Sequence, residues 1–147
     1  MEDVPFEQAE SYEPEDGWRR VEMAGSPAFS VEWFEKPPGH SSPMHDHENE
    51  QVCLVTEGEL TVYTEDDEVT LGPYDSVWLE SGEPHRVENT GDAVAVGIDV
   101  FAPGRSFDFW LDRAWGHARR VAKLFVGASR LSVRDATDYH AHRVYRV

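Results

Sequence analysis

Four residues with metal-ligating side chains recur at fixed spacing: His45, His47, Gln51 and, after a long interval, His85. Because successive side chains of a β-strand point to opposite faces, an extended backbone places His45, His47 and Gln51 on one face. Neutral imidazole is the commonest protein ligand for zinc, copper, iron and nickel, and an amide oxygen supplies an uncharged fourth donor. The set predicts one divalent transition-metal site, whereas the His-x-His pair alone is also explained by a solvated strand edge.

A metal held by neutral donors keeps its full positive charge and acts as a Lewis acid toward a substrate oxygen. The stretch from residue 96 to 101 predicts a strand that places Asp99 and Phe101 on one face, and Arg105 follows in the next turn. An aspartate near a cation is a candidate proton-transfer group, and an arginine is a candidate grip on a carboxylate. The alternative is structural, with Asp99 accepting backbone hydrogen bonds and Arg105 pairing at the surface.

Short alternating segments fill the chain from Trp18 to Phe101 and must position these side chains. Turn residues such as Gly, Pro and Asp separate the segments, as expected of β-strands. The predicted strands are Trp18–Met23, Ala28–Glu35, Glu50–Thr56, Glu59–Thr64, Glu68–Leu71, Ser76–Leu79, His85–Glu88 and Ala93–Phe101. Many short strands with Gly and Pro turns predict a single all-β barrel or sandwich.

The two ends of the chain differ from this pattern. Residues 1–17 are rich in Glu and Asp and predict an acidic N-terminal arm, ahead of a barrel over residues 18–103. Further along, apolar residues recur at helical spacing, which predicts an amphipathic helix from Ser106 or Phe107 to Phe125. Residues 104–147 are therefore expected to form a C-terminal helix and tail that pack on the barrel or on a partner subunit.

The charge and composition of the chain exclude several classes of partner. Its 147 residues include 29 acidic and 13 basic side chains, for a formal net charge of −16. A surface of this sign repels nucleic acid and anionic membranes, so neither is an expected partner. The sequence shows no long apolar run and no secretory leader, and its single cysteine forms no intramolecular disulfide. We therefore expect a cytoplasmic protein that binds a small molecule.

The acid excess combined with only two lysines resembles the proteins of salt-loving microbes, although a GC-rich genome also favours arginine over lysine. The remaining histidines are weaker ligand candidates. His40 lies off the face of the first two ligands, and His140 and His142 form a second His-x-His pair with no further ligand at suitable spacing. Cys53 is expected in the core, since free cysteine is among the most buried residue types.

The two histidine segments resemble the signature segments of the cupins, a superfamily of small β-barrel proteins. The matching patterns are Gly39-x5-His45-x-His47-x3-Gln51-x6-Gly58 and Gly82-x2-His85-x3-Asn89. The resemblance implies a single double-stranded β-helix barrel of jelly-roll type, one bound metal such as Zn, Ni, Mn or Fe, and a homodimer. Three positions depart from the usual pattern, because Gln51 replaces Glu, Tyr74 replaces Gly and Glu80 replaces Pro.

Three stretches resemble the cupins that linearise or ketonise 4,5-unsaturated uronates from pectin and alginate. They are Trp33–Lys36, His45–Gln51 and Asp99–Arg105. This resemblance implies a metal-dependent isomerase or tautomerase acting on a small carboxylated substrate derived from a sugar. It also implies that the three histidines and the glutamine hold the metal. By the same resemblance, Asp99 transfers a proton, Arg105 anchors the carboxylate and Phe101 forms a pocket wall.

Two other functional classes fit the same residues. In the first, the histidines hold Fe(II), Mn or Ni and the protein is a dioxygenase of small enolisable substrates such as a flavonol or a diketone. Cupin flavonol oxygenases mostly carry Glu at the position of Gln51, which weakens this alternative. In the second, the metal only orders the barrel of a non-catalytic domain that binds or senses a small ligand.

Overall fold

The computed structural model describes residues 1–111, and the chain in this range is built mainly of β-strands. A short 3-10 helix, Phe6–Gln8, precedes nine strands: β1 (Ser11–Glu15), β2 (Trp18–Glu22), β3 (Ser30–Lys36), β4 (Glu50–Glu57), β5 (Leu60–Tyr63), β6 (Glu68–Leu71), β7 (Ser76–Leu79), β8 (Arg86–Glu88) and β9 (Ala95–Ala102). Every strand predicted between Trp18 and Phe101 is present, with its ends within two residues of the predicted ones.

The strands form two antiparallel sheets. Six strands pair in the order β1-β2-β3-β9-β4-β7, and three pair in the order β6-β5-β8. The apolar core draws on both sheets, and its buried members are Phe34, Cys53, Val55, Leu60, Val62, Leu71, Leu79, Val87 and Ala95. This arrangement confirms the predicted all-β jelly-roll barrel.

Strand alternation decides which side chains reach the inner face of the six-stranded sheet. Glu32 and Lys36 of β3 are buried, as are Asp99 and Phe101 of β9. The register pairs Asp99 with Glu32 across one neighbouring strand, and it pairs Phe101 with Gln51 across the other. Because paired residues of neighbouring strands share a face, the predicted site residues of β4 and β9 lie side by side.

The N-terminal segment differs from the irregular arm expected from its acidity. Strand β1 pairs with β2 at the edge of the larger sheet. The Tyr12 ring packs edge-on against Trp18, with centroids 5.3 Å apart, and stacks on Trp110 at 5.4 Å. These aromatic contacts offset the ordering entropy of a segment whose other side chains are mostly charged.

The predicted C-terminal helix lies largely outside the described residues. Helical backbone begins at Asp108 and runs to Leu111, and Ser106 caps it because its Oγ accepts a hydrogen bond from the Asp108 N–H at 3.2 Å. The rest of the helix to Phe125, the tail, and the His140 and His142 pair fall beyond that range. Within residues 1–111, no helix has the length and apolar character needed to cross a membrane.

Candidate metal centre

Backbone hydrogen bonds bring the two histidine segments together. His45 and His85 form an antiparallel bridge in which each N–H donates to the other's carbonyl, at 3.0 and 2.9 Å. The Gly82 N–H donates to His47 O at 2.9 Å, and Gly82 has a φ of +77°, a conformation that glycine adopts without strain. The turn before His85 is therefore hydrogen-bonded to the loop that carries His47, so the two segments lie close together although they are far apart in the sequence.

The three imidazole rings share one tautomer. Each Nδ1 lies against a backbone carbonyl oxygen: His45 against Pro43 at 2.9 Å, His47 against Asn49 at 2.8 Å, and His85 against Glu83 at 2.8 Å. A carbonyl oxygen only accepts, so each Nδ1 must carry the proton. In the neutral ring Nε2 then carries a lone pair, as in histidines that ligate metals through Nε2.

These lone pairs converge on one point of the structure. One ligand atom from each of His45, His47 and His85 lies within 4.8 Å of the others. The Nε2 atom of His85 is buried and has no hydrogen-bond partner within residues 1–111. Burial is the main cause that lowers the pKa of His45 and of His85, so both rings are neutral at neutral pH. A buried acceptor without a donor is costly, and a metal ion removes that cost.

Gln51 supplies the fourth donor and is held in the required orientation. Its amide nitrogen donates to Asp99 Oδ1 at 2.8 Å, which turns Oε1 toward His47 Nε2 at 3.1 Å. Both atoms in the second contact are acceptors when His47 has the tautomer described above. Two donors bound to one metal at about 2.1 Å each lie at about this separation. The residues present therefore fit a divalent transition metal with His45, His47, His85 and Gln51 as ligands.

The backbone between the ligands is only partly extended. The phase argument holds only for an extended backbone from His45 to Gln51, whereas β4 begins at Glu50, as predicted, and the preceding residues form a loop. The loop turns where the His47 ring bonds to Asn49 O, and the Asn49 side chain donates to Pro103 O at 2.6 Å. The histidines therefore converge through the loop and not through strand alternation.

Asp99 accepts the Gln51 hydrogen bond and is 1% exposed. Its second oxygen, Oδ2, accepts a hydrogen bond from Arg20 Nη2 at 2.7 Å. Burial alone raises the pKa of Asp99, but the charge and hydrogen bond of Arg20, together with the Gln51 hydrogen bond, leave the pKa below its usual value. Asp99 is therefore an anion at neutral pH.

Glu32 joins two arginines beside the site. It accepts hydrogen bonds from Arg20 Nη1 at 2.6 Å, from Arg105 Nε and Nη2 at 2.8 and 2.9 Å, and from Trp110 Nε1 at 2.9 Å. The Arg105 guanidinium also lies 3.6 Å from the centre of the Phe101 ring. Arg105, which was predicted to anchor a substrate carboxylate, thus donates from Nε and Nη2 to Glu32. Its Nη1 group does not bond to Glu32.

One cavity of about 680 Å³ contains all seven predicted site residues. They are His45, His47, Gln51, His85, Asp99, Phe101 and Arg105. The residues that also line it without having been assigned to the site include Trp18, Arg20, Lys36 and His40. Cys53 lines it too, and burial raises the pKa of its thiol well above the usual value, so it stays a protonated thiol.

Comparison with known proteins agrees with this architecture. Residues 32–101 match the family model described as the cupin domain. KdgF from Halomonas sp. is 22% identical, with a TM-score of 0.66, over 74% of this chain and 98% of that one. An RmlC-like cupin from Shewanella frigidimarina is 23% identical, with a TM-score of 0.64, over 74% and 96%.

The polyketide cyclase RemF from Streptomyces resistomycificus is a further similar structure. It is 23% identical, with a TM-score of 0.59, over 70% of this chain and 80% of its own. Among curated proteins, none matches the chain. At these identities, the likeness to the solved structures shows a shared fold.

Proposed function

We propose that this chain, whose residues 32–101 carry a cupin domain, is a metal-dependent isomerase or tautomerase. Its substrate is a small carboxylated molecule derived from a sugar, of the unsaturated uronate class. The observation that carries this proposal is the convergence of three imidazole rings and the Gln51 amide oxygen in one cavity.

His45, His47, His85 and Gln51 hold the metal in this proposal. A divalent ion bound by neutral donors supplies Lewis-acid polarisation of a substrate carbonyl or hydroxyl oxygen. Arg20 and Gln51 keep Asp99 ionised, so Asp99 accepts a proton from the substrate and returns it at a neighbouring carbon. Phe101 covers the ligand side of the cavity, since its ring packs edge-on against His47 at 5.6 Å.

Arg105 contacts the substrate from the cavity mouth through the guanidinium edge that Glu32 does not use. Stacking on Phe101 and the two bonds to Glu32 fix its position before a substrate arrives. Such fixed positioning reduces the entropy lost when substrate binds.

The motifs around the site support the substrate class. They resemble those of the cupins that act on unsaturated uronates, and KdgF from Halomonas sp. shares the fold. The neutral donor set also favours acid–base chemistry, because the Gln51 amide leaves the positive charge of the ion undiminished.

The test is turnover of a 4,5-unsaturated galacturonate by the full chain loaded in turn with zinc, nickel, manganese and iron. We expect metal-dependent loss of the ultraviolet absorbance of the substrate double bond, at the same rate with and without oxygen. The His45→Ala/His85→Ala double variant should be inactive, whereas the His140→Ala/His142→Ala variant, which removes as many histidines, should retain activity.

Two results would replace the proposal. Oxygen consumption with an enolisable diketone, and none with the uronate, would indicate the dioxygenase alternative. Ligand-induced stabilisation without turnover for any of the four metals would indicate a binding or sensing domain.

A further inference from the structure

Lys36 places a buried cation on the wall of the cavity. Lys36 is only 4% exposed and is the last residue of β3. Its side chain lies on the buried face of the strand and lines the same cavity as the metal ligands. The backbone at this point is fixed, because the buried Asn89 side chain donates to Lys36 O at 2.8 Å. The backbone that carries the Lys36 side chain is therefore held in place beside the cavity.

Among residues 1–111, no carboxylate forms a direct ion pair with this ammonium and no side-chain hydrogen bond to it is found, although Asp99 lies near enough to attract it. The two buried acids nearby are engaged elsewhere, Asp99 by Arg20 and Gln51, and Glu32 by Arg20 and Arg105. A buried charge without a partner is unfavourable, so the position is prepared for an anion that the protein does not supply.

Neighbouring groups offset this positive charge only in part. Burial first, then repulsion from Arg20, lowers the pKa of Lys36 to about 8 despite the attraction of Asp99, so the amine is still mostly charged at neutral pH. Burial, then Lys36 and Arg20, lowers the pKa of His40 to about 4, which keeps that ring neutral as it stacks on Trp18 at 4.8 Å.

Counting the buried charges gives the same result. The buried cations Arg20 and Lys36 equal the buried acids Glu32 and Asp99 in number, and the partly buried Arg105, which also bonds to Glu32, adds one further positive charge. Three further acids line the cavity at its rim, Asp46, Glu48 and Asp108, but they are exposed and screened by solvent. Arg20, Lys36 and Arg105 nevertheless place three cations in one cavity of a chain whose net charge is −16.

We propose that Lys36 is the group that anchors the substrate carboxylate in this cavity. The inference rests on the proposed function in taking this cavity as the substrate site. A single carboxylate balances the single unpaired ammonium, whereas Arg105, the anchor implied by resemblance, is already neutralised by its bidentate contact with Glu32. The carboxylate at Lys36 leaves the other end of the molecule to face the metal ligands.

The experiment compares D-galacturonate with D-galactose, which differ by the carboxylate, by calorimetric binding to metal-free and zinc-loaded full-length protein. The variants are Lys36→Met, Arg105→Gln and, as a control with the same change in charge, Arg19→Met. Arg19 is the neighbour of Arg20 on β2, and it packs over Phe6 and does not line the cavity.

We expect galacturonate to bind at least about tenfold more tightly than galactose, since a charge-assisted hydrogen bond is worth this much. The preference should vanish in Lys36→Met and persist in Arg19→Met and Arg105→Gln. Lys36→Met should also melt at a higher temperature than the parent, which shows that it folds. Since the chain has only two lysines, isotope-labelled lysine ε-carbons give two signals, and the one absent in Lys36→Met should shift with galacturonate.

A preference that survives in Lys36→Met, or that is lost in Arg105→Gln alone, overturns the assignment. Equal affinity for the two sugars, or no binding of either, also overturns it. The metal-free measurement separates the two proposals: a carboxylate preference without any metal binding keeps the Lys36 anchor and rejects the metal-dependent enzyme.

Discussion

Two sets of residues that line the cavity have opposite character, and we name them the metal end, which is His45, His47, His85 and Gln51, and the cationic end, which is Lys36. The metal end presents neutral acceptor atoms that converge. The cationic end presents a buried positive charge with which no carboxylate in the described part of the chain forms a direct ion pair. Both arrangements are unfavourable in the protein alone.

The difference indicates what each end binds. Converging acceptors are complementary to a metal cation, and an isolated ammonium is complementary to a carboxylate. Between them, Asp99 contacts Gln51 on one side and Arg20 on the other. A ligand with a carboxylate at one end and a polarisable oxygen at the other therefore completes both ends at once.

The largest effect is expected from substitution of Asp99, which contacts Gln51 and Arg20. Asp99→Asn removes the negative charge that orients Gln51 and accepts the proton, so kcat/KM for an unsaturated uronate should fall by about 10²–10⁴-fold. Metal content by elemental analysis should stay near that of the parent, because an asparagine oxygen still accepts the Gln51 hydrogen bond. Retention of activity within a few-fold would remove Asp99 from the reaction.

The next effect isolates the cationic end. Replacing Lys36 by methionine should raise the unfolding free energy at neutral pH by about 3 kcal/mol, because the pKa falls from 10.5 to about 8 on folding. The unfolded chain holds this proton up to higher pH than the folded chain. The parent should therefore gain stability as pH rises from 8 toward 10.5, and Lys36→Met should lack that gain in urea titrations. Parallel pH profiles for the two proteins would show that Lys36 is not buried as a cation.

A smaller effect should distinguish the metal end. Gln51→Glu places a second carboxylate against Asp99, whose Oδ1 accepts the Gln51 amide at 2.8 Å in the parent. The metal-free variant should lose about 2 kcal/mol of stability, since it also leaves an acceptor unpaired. Zinc should restore most of this loss, because the added charge is next to the ion. Equal destabilisation with and without zinc, measured by thermal unfolding, would argue against a cation at this end.

The smallest effect lies outside the cavity and serves as a reference. Tyr74 has a φ of +71° and is 81% exposed, at the third position of the Gly72–Asp75 turn. Tyr74→Gly should stabilise the protein by up to about 1 kcal/mol, because a left-handed conformation costs a non-glycine residue more than it costs glycine. Metal binding and galacturonate affinity should not change. A change in either affinity would show that stability and binding are coupled throughout the barrel.

Local patterns in the sequence were sufficient for the strands between Trp18 and Phe101 and for seven of the residues that line the cavity, but not for β1. Turn residues separate the strands, and the spacing of the ligand-type side chains identified His45, His47, Gln51 and His85. Tyr74, which stands where glycine is usual in the resembling family, has a positive φ, and this conformation was not predicted.

Long-range charge pairing was not predictable in the same way. In β3, Glu32 and Lys36 alternate with Val31 and Trp33, and apolar residues normally mark the buried face. Here Glu32 and Lys36 both face inward. The charge of Glu32 is neutralised by Arg20 of β2 and by Arg105 after β9. Those contacts span large sequence separations, so the local pattern contains no signal for them.

The most direct test of the central claim is elemental analysis of the protein purified without chelator or affinity tag. The His45→Ala/His85→Ala variant is measured beside it, with His140→Ala/His142→Ala as the matched control. We predict close to one transition-metal ion per chain in the parent and in the control, and almost none in the His45/His85 variant. A parent free of metal after metal-supplemented purification, or equal metal in all three proteins, would contradict the assignment of the four converging donors as a metal centre.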